Sequence, residues 1–189
     1  MNVVVRRFLP VTLIAIATFS PAQSANTGAA VPITYSVNDE PAQSPDGKQM
    51  IFVKVLEGRE QLFVANMDGS AEKQLTHESV DIEDPAWSPN GLQVAFVRIE
   101  PGKNGVYVMN VDGTGMHRVT PGTQSPIHPA WMPDGKAILY CTDDDLHPPQ
   151  KHCAEIYRLD LADRKITTVI SGGVNTYPVP SPDGKRIAF

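Results

Sequence analysis

Apolar residues in this chain fall in short continuous runs rather than at helical spacing. Met50-Ile51-Phe52-Val53, Val94-Ala95-Phe96-Val97 and Ile138-Leu139-Tyr140-Cys141 are runs of the kind expected of strands covered on both faces. Each follows a polar turn signature: Ser44-Pro45-Asp46-Gly47, Ser88-Pro89-Asn90-Gly91 and Met132-Pro133-Asp134-Gly135, with a fourth at Ser181-Pro182-Asp183-Gly184. The turn proline stands at 45, 89, 133 and 182, so the spacing is 44, 44 and 49 residues. That regularity lies in or just above the range of about 40 to 50 residues for a four-stranded propeller blade.

Within one period the local chemistry predicts four strands, A to D. Proline presets φ at the second turn position and glycine takes the left-handed place, joining strand A to strand B. Strand C follows as Leu62–Ala65, Val106–Met109 and Ile156–Leu159. A second turn, Asn66-Met67-Asp68-Gly69-Ser70 and Asn110-Val111-Asp112-Gly113-Thr114, leads to strand D near 74–76 and 118–120. The third copy has Leu161-Ala162-Asp163 in place of the Asp-Gly pair, which leaves its turn geometry open. The expected fold class is all-β: a β-propeller with about three complete blades and part of a fourth. Seventeen prolines and fourteen glycines agree with strands joined by tight turns. Trp87 and Trp131, on the innermost strand, are expected to wedge between blades, in preference to serving as exposed binding residues.

The first residues read differently. Arg6-Arg7, the apolar stretch from Phe8 to Phe19 and the small residues Ala22-Gln23-Ser24 form a secretory signal peptide over 1–24. The apolar stretch is too short to span a bilayer. Residues 25–40 form a leader in which Ile33-Thr34-Tyr35 is expected to supply a ring-closing strand, and 41–189 form the blade array. The formal charge of −5 becomes more negative once two arginines leave with the signal, which argues against nucleic acid. An acidic, exported, non-membrane-spanning protein, periplasmic or secreted, is the expectation.

The run Pro-Ala-Trp-Ser-Pro-Asp/Asn-Gly at 85–91, with its copies at 41–48 and 129–136, followed by Val106-Tyr107-Val108-Met109-Asn110, resembles the TolB-type propeller repeat. The resemblance covers about 41–189 and is specific for fold. It implies a periplasmic protein that works by protein–protein contact in an envelope complex with a peptidoglycan-associated lipoprotein. Similar blades also precede the catalytic domain of prolyl-oligopeptidase-like peptidases. The 16 residues between signal and first repeat leave no room for TolB's amino-terminal α/β domain. Because three repeats and two strands do not close a ring, the sequence is expected to be the amino-terminal part of a longer protein.

Departures from the repeat locate the candidate surface. Six residues are inserted between strands B and C of the third copy, on the face that the B–C and D–A loops share, and such insertions often mark a binding face. Candidate partner-binding residues are Asp143, Asp144, Asp145, His147 and His152 in the insertion, with Asp84, His128 and Tyr177 just before the inner strands near the channel mouth. Cys141 and Cys153 flank this insertion; a disulfide is the favoured reading in an exported protein, and two buried thiols the other. The acids and histidines match neither an EF-hand loop nor a zinc pattern, so no metal and no cofactor are expected. Neither a Gly-x-Ser-x-Gly elbow nor a His-Glu-x-x-His helix occurs, and no catalytic residue is assigned. Two readings follow: a non-catalytic propeller binding a protein partner in the cell envelope, with a small molecule or glycan in the channel as a further ligand class, or the gating propeller of a serine peptidase.

Overall fold

The structure is a computed structural model that describes residues 38–102, 104–142 and 155–189. The signal segment, the Ile33-Thr34-Tyr35 strand, Asp143, Asp144, Asp145, His147, His152 and Cys153 lie outside the described residues.

Three four-stranded antiparallel meanders follow one another along the chain. Blade 1 is β1 (Asn38–Gln43), β2 (Gln49–Leu56), β3 (Arg59–Asn66) and β4 (Lys73–Gln74). Blade 2 is β5 (Ile82–Trp87), β6 (Gln93–Arg98), β7 (Gly105–Asn110) and β8 (His117–Arg118). Blade 3 is β9 (Pro126–Trp131), β10 (Ala137–Thr142), β11 (Ile156–Asp160) and β12 (Ile166–Ile170). A two-stranded hairpin, β13 (Val179–Pro180) and β14 (Ile187–Ala188), opens a fourth unit. The first inner strand starts at Asn38, within the segment read as a leader, because Asn38 and Asp39 pair with Lys54 and Val53.

The apolar runs of β6 and β10 are continuous because their two faces serve two different interfaces, whereas the second face of β2 packs within its own blade, Met50 and Phe52 with Phe63 and Ala65. In β6, Val94 and Phe96 join Ile51, Val53, Leu62 and Val64 of blade 1. The alternate residues Ala95 and Val97 join Trp131, Ile138 and Tyr140 of blade 3. Period-two alternation thus divides one strand between neighbours, and each buried Val, Ile or Phe contributes about 1.5–3 kcal/mol. An aromatic pair occupies the same B–C register in every blade: Phe52 with Phe63, Phe96 with Tyr107, and Tyr140 with Tyr157, ring centroids 6.0, 6.1 and 5.4 Å apart.

The A–B turns form as the sequence predicts. The N–H groups of Gly47, Gly91, Gly135 and Gly184 donate to the carbonyls of Ser44, Ser88, Met132 and Ser181 at 2.8–2.9 Å. Asp46, Asn90, Asp134 and Asp183 accept the N–H two residues on. Gly135 has φ 68°, and a Cβ there would meet nothing within 4 Å. Gly135→Ala therefore isolates the cost of the left-handed backbone, about 1 kcal/mol. Urea unfolding checks this, and a neutral result would place the turn in another conformation.

The C–D turn left open in the third copy closes with Asp160 N–H on the Lys165 carbonyl, one residue wider than Asn66 N–H on Ser70, and Arg164 takes the left-handed place at φ 60°. Strands β4 and β8 are shorter and earlier than 74–76 and 118–120. Leu62 and Val106 N–H donate to the hydroxyls of Thr76 and Thr120 at 2.9 and 3.0 Å, so a side chain ends each ladder where a carbonyl would extend it.

Trp131 is 7% exposed and packs between blades 2 and 3. Trp87 packs against the blade 1–2 core but is only partly buried, and another edge of it lines a surface groove with Pro45 and Pro89. Both indoles donate to the preceding blade, Trp87 to the Ala42 carbonyl at 2.8 Å and Trp131 to the Ala86 carbonyl at 3.1 Å.

Candidate functional site: the axial line of the inner strands

Proline cannot donate to a strand ladder, so Pro41, Pro85 and Pro129 interrupt the pairing of β1, β5 and β9 with their B strands. The register shifts at each of these places. The residue before each proline adopts a left-handed backbone: Glu40 at φ 51°, Asp84 at 53°, His128 at 51°, and Tyr177, before Pro178, at 53°. Such a conformation costs about 1–3 kcal/mol in a residue other than glycine. A bulge re-aims its side chain, and here the re-aimed side chains meet the next inner strand.

They form a directional ladder. The Asp84 N–H donates to the Glu40 carboxylate, and the His128 N–H donates to the Asp84 carboxylate at 2.9 Å. The third step changes chemistry: the His128 ring stacks on Tyr177, centroids 3.7 Å apart and planes within 22°. Tyr177 is 65% exposed, so the aromatic end of the ladder faces solvent.

The electrostatics differ along the line. At its start, the Glu83 carboxyl hydrogen-bonds that of Glu60 from blade 1; burial first, then the charges of Glu60, Glu40 and Asp84, push it up to about 7. The nearby cations already have partners, Arg59 with Asp81 at 3.4 Å and Arg98 with Glu78 at 3.0 Å and Glu100 at 2.6 Å. At the other end, burial holds the His128 imidazole below its ordinary value despite the Asp84 carboxylate, so the ring is neutral at pH 7.

Cys141 Sγ lies 3.4 Å from His128 Nδ1, and His128 Nε2 lies 3.9 Å from Asp84 Oδ1. The order thiol, imidazole, carboxylate is that of a nucleophilic site, but Cys141 has no exposed surface and the last contact exceeds hydrogen-bond length. Among the described residues no three His, Cys, Asp or Glu side chains converge as a metal would require. The arrangement can offer carboxylate acceptors, a neutral imidazole and an exposed tyrosine to a partner.

Of the residues expected at the mouth, Asp84, His128 and Tyr177 are brought into one line. Asp84 and His128 lie within inner strands, at their bulges, rather than in the loops before them. Glu40 belongs to the same line and was not foreseen, although it stands at the same offset before Pro-Ala as Asp84 and His128. Glu60 and Glu83 carry no such signal.

Successive meanders whose inner strands lie side by side about a common line define a β-propeller segment. The family model described as the TolB beta propeller domain, PD40, matches residues 22–147 and 81–189, and the chain belongs to that family. Comparison with the curated proteins returns no match. Among solved structures, TolB from Acinetobacter baumannii is 24% identical with a TM-score of 0.67, over 80% of this chain and 37% of that one. A TolB candidate from Agrobacterium tumefaciens is 21% identical with a TM-score of 0.69, over 82% of this chain and 60% of that one. A puromycin-hydrolyzing peptidase from Mycobacterium tuberculosis is 20% identical with a TM-score of 0.55, over 70% of this chain and 23% of that one. The chain thus spans less than two thirds of the length of each. These likenesses concern the fold. Among the described residues no helix is long and apolar enough to cross a membrane.

Proposed function

We propose that this chain belongs to an exported, non-catalytic propeller that binds a protein partner in the cell envelope through the axial mouth formed by Asp84, His128 and Tyr177. The observation that carries this reading is the left-handed backbone at four equivalent positions, Glu40, Asp84 and His128 within inner strands and Tyr177 two residues before β13, strain that the fold retains while aiming polar and aromatic side chains along one line. Membership of the TolB propeller family supports the envelope setting. The exposed Tyr177 ring is the natural anchor, since tyrosine brings contact area and a polar tip at little entropic cost.

Envelope extract passed over immobilised full-length protein identifies the partner, whose affinity is then measured with the purified pair. Tyr177→Ala is expected to weaken it about tenfold or more with an unchanged circular dichroism spectrum. Unchanged affinity would remove the mouth from the interface.

The likeness to a puromycin-hydrolyzing peptidase favours a second reading, in which the blades gate a hydrolase domain. The gene beyond the Phe189 codon separates the two: further blades alone support the binding propeller, whereas a Gly-x-Ser-x-Gly elbow in an α/β domain supports the peptidase.

A further inference from the structure

The four A–B turns repeat one charge pattern with one exception. Blades 1 and 3 and the fourth unit carry Asp46, Asp134 and Asp183, followed two residues on by Lys48, Lys136 and Lys185, whereas blade 2 has Asn90 and Leu92. That turn loses both charges, and Leu92 is left 64% exposed. The neutral turn stands beside the less buried of the two tryptophans. Pro45 and Asp46 of blade 1 and Pro89 and Asn90 of blade 2 wall a groove of about 390 Å³, lined also by Trp87 and Gln49. At the next seam Trp131 is buried, and Leu161 packs there where the first seam has the shorter Val111. The A–B turns follow the last residues of the inner strands, whereas Glu40, Asp84 and His128 stand toward their starts, so the groove and the axial mouth lie at opposite ends of these strands.

Each wall offers a different polar group. The Ser44 hydroxyl and the Lys48 N–H donate to Asp46 Oδ1 at 2.7 and 3.1 Å and hold this carboxyl below its ordinary value. Asp46 Oδ2 faces the exposed Lys48 ammonium at 3.8 Å, beyond hydrogen-bond length. On the other wall, Asn90 Oδ1 accepts the equivalent pair, from the Ser88 hydroxyl at 2.8 Å and the Leu92 N–H at 3.0 Å, so the amide NH₂ is the end left to a ligand. Among the lining residues Asp46 alone is charged. This set fits a chain that brings a cation, an unpaired carbonyl and apolar rings. A neutral sugar has no cation for Asp46, and a helical or sheet segment has spent its carbonyls on its own hydrogen bonds. A polyproline II segment has no internal hydrogen bonds, keeps its carbonyls free and is ordered before it binds.

We propose that the groove between the A–B turns of blades 1 and 2 is a second docking site, which takes a proline-rich, arginine-bearing segment of a partner protein. A proline ring of the segment lies against Trp87 between Pro45 and Pro89, a backbone carbonyl accepts from Asn90, and the arginine pairs with Asp46. The Trp87 indole N–H takes no part, because it donates to the Ala42 carbonyl. Leu92 extends the apolar rim on the blade 2 side.

Fluorescence polarisation of the full-length protein with a short labelled peptide of Pro-Pro-Arg repeats tests this. Such a small groove is expected to bind it with Kd on the order of 100 μM. Replacing the prolines of the peptide by glycine keeps its charge and removes the preformed helix, and replacing the arginines by glutamate does the reverse; each is expected to weaken binding about tenfold or more. Asp46→Asn and Leu92→Lys each give a turn the residue that another blade carries at that place, so the turn still forms and the circular dichroism spectrum stays unchanged. Each is expected to raise Kd about fivefold or more. Asp183→Asn makes the same change in the fourth unit and leaves Kd unaltered. Absence of binding at about 1 mM protein, a glycine peptide bound as tightly as the proline one, or equal effects of Asp46→Asn and Asp183→Asn each overturns the proposal.

Discussion

Trp131→Ala is expected to lower the unfolding free energy by about 3–5 kcal/mol, the range for removing a large aromatic side chain from a well-packed interior. The ring sits in a cluster with Ala95, Val97, Val106 and Val108 from blade 2 and Ile138, Tyr140 and Leu159 from its own blade. Removing it opens a cavity between two β-sheets whose backbones are fixed by their own ladders and collapse poorly onto it. The Ala86 carbonyl also loses its indole donor. Because domains of this size are stable by about 5–15 kcal/mol, a loss of this size shifts the guanidinium midpoint by a large fraction of its value. Circular dichroism should report it, since the second tryptophan complicates fluorescence. Trp87→Ala is expected to cost less, because part of that ring already faces solvent beside Pro45 and Pro89. A cost below about 1 kcal/mol for Trp131→Ala, against the usual range, would mean that blades 2 and 3 are not joined through this ring.

The two tryptophans also show what a repeat motif conveys and where it stops. Turn positions, B and C strands and the split of β6 and β10 between two interfaces are local properties, set by proline, glycine and period-two alternation, and the structure follows them closely. The D strands were less legible because a threonine hydroxyl, two residues beyond the last ladder pair, decides where β4 and β8 end. At the axial line the repeated quantity is a backbone angle rather than a residue type. Glu40, Asp84, His128 and Tyr177 share a φ near 52° but no side-chain chemistry. Only their offset before proline ties them together, and Glu40 was passed over because its segment was read as a leader. Glu60 and Glu83 meet across the blade 1–2 seam, where the angle between sheets decides the contact and no sequence period encodes it. The expected contributions of Asp143, Asp144, Asp145, His147 and His152, and the Cys153 half of the Cys141–Cys153 pairing, concern residues outside those described.

Between about pH 4.5 and 7 the protein is expected to become less stable as pH rises, and Glu83→Gln is expected to remove most of that dependence. Segment 81–84 is pinned to blade 1 from two sides, by Glu60 N–H on the Asp81 carboxylate at 3.1 Å and by Asp84 N–H on the Glu40 carboxylate. Glu83 lies between these anchors, which hold its backbone beside blade 1. Two carboxyls in hydrogen-bond contact require one proton, and the folded chain keeps it on a group moved from 4.5 to about 7. The unfolded chain releases the same proton near 4.5, so in this window the folded state binds more protons than the unfolded state. The stabilisation is therefore complete below the unfolded value and is lost as pH climbs through the folded one. A fully sheltered carboxyl moved this far would lose about 3 kcal/mol. Glu83 is only half buried, and solvent screening reduces the loss to about 1–2 kcal/mol. Glutamine keeps the shape and donates permanently to Glu60, so the variant should match wild type near pH 5 and exceed it near pH 8. Urea unfolding of both proteins across this range decides the matter, and parallel profiles would mean that the first seam holds no shared proton.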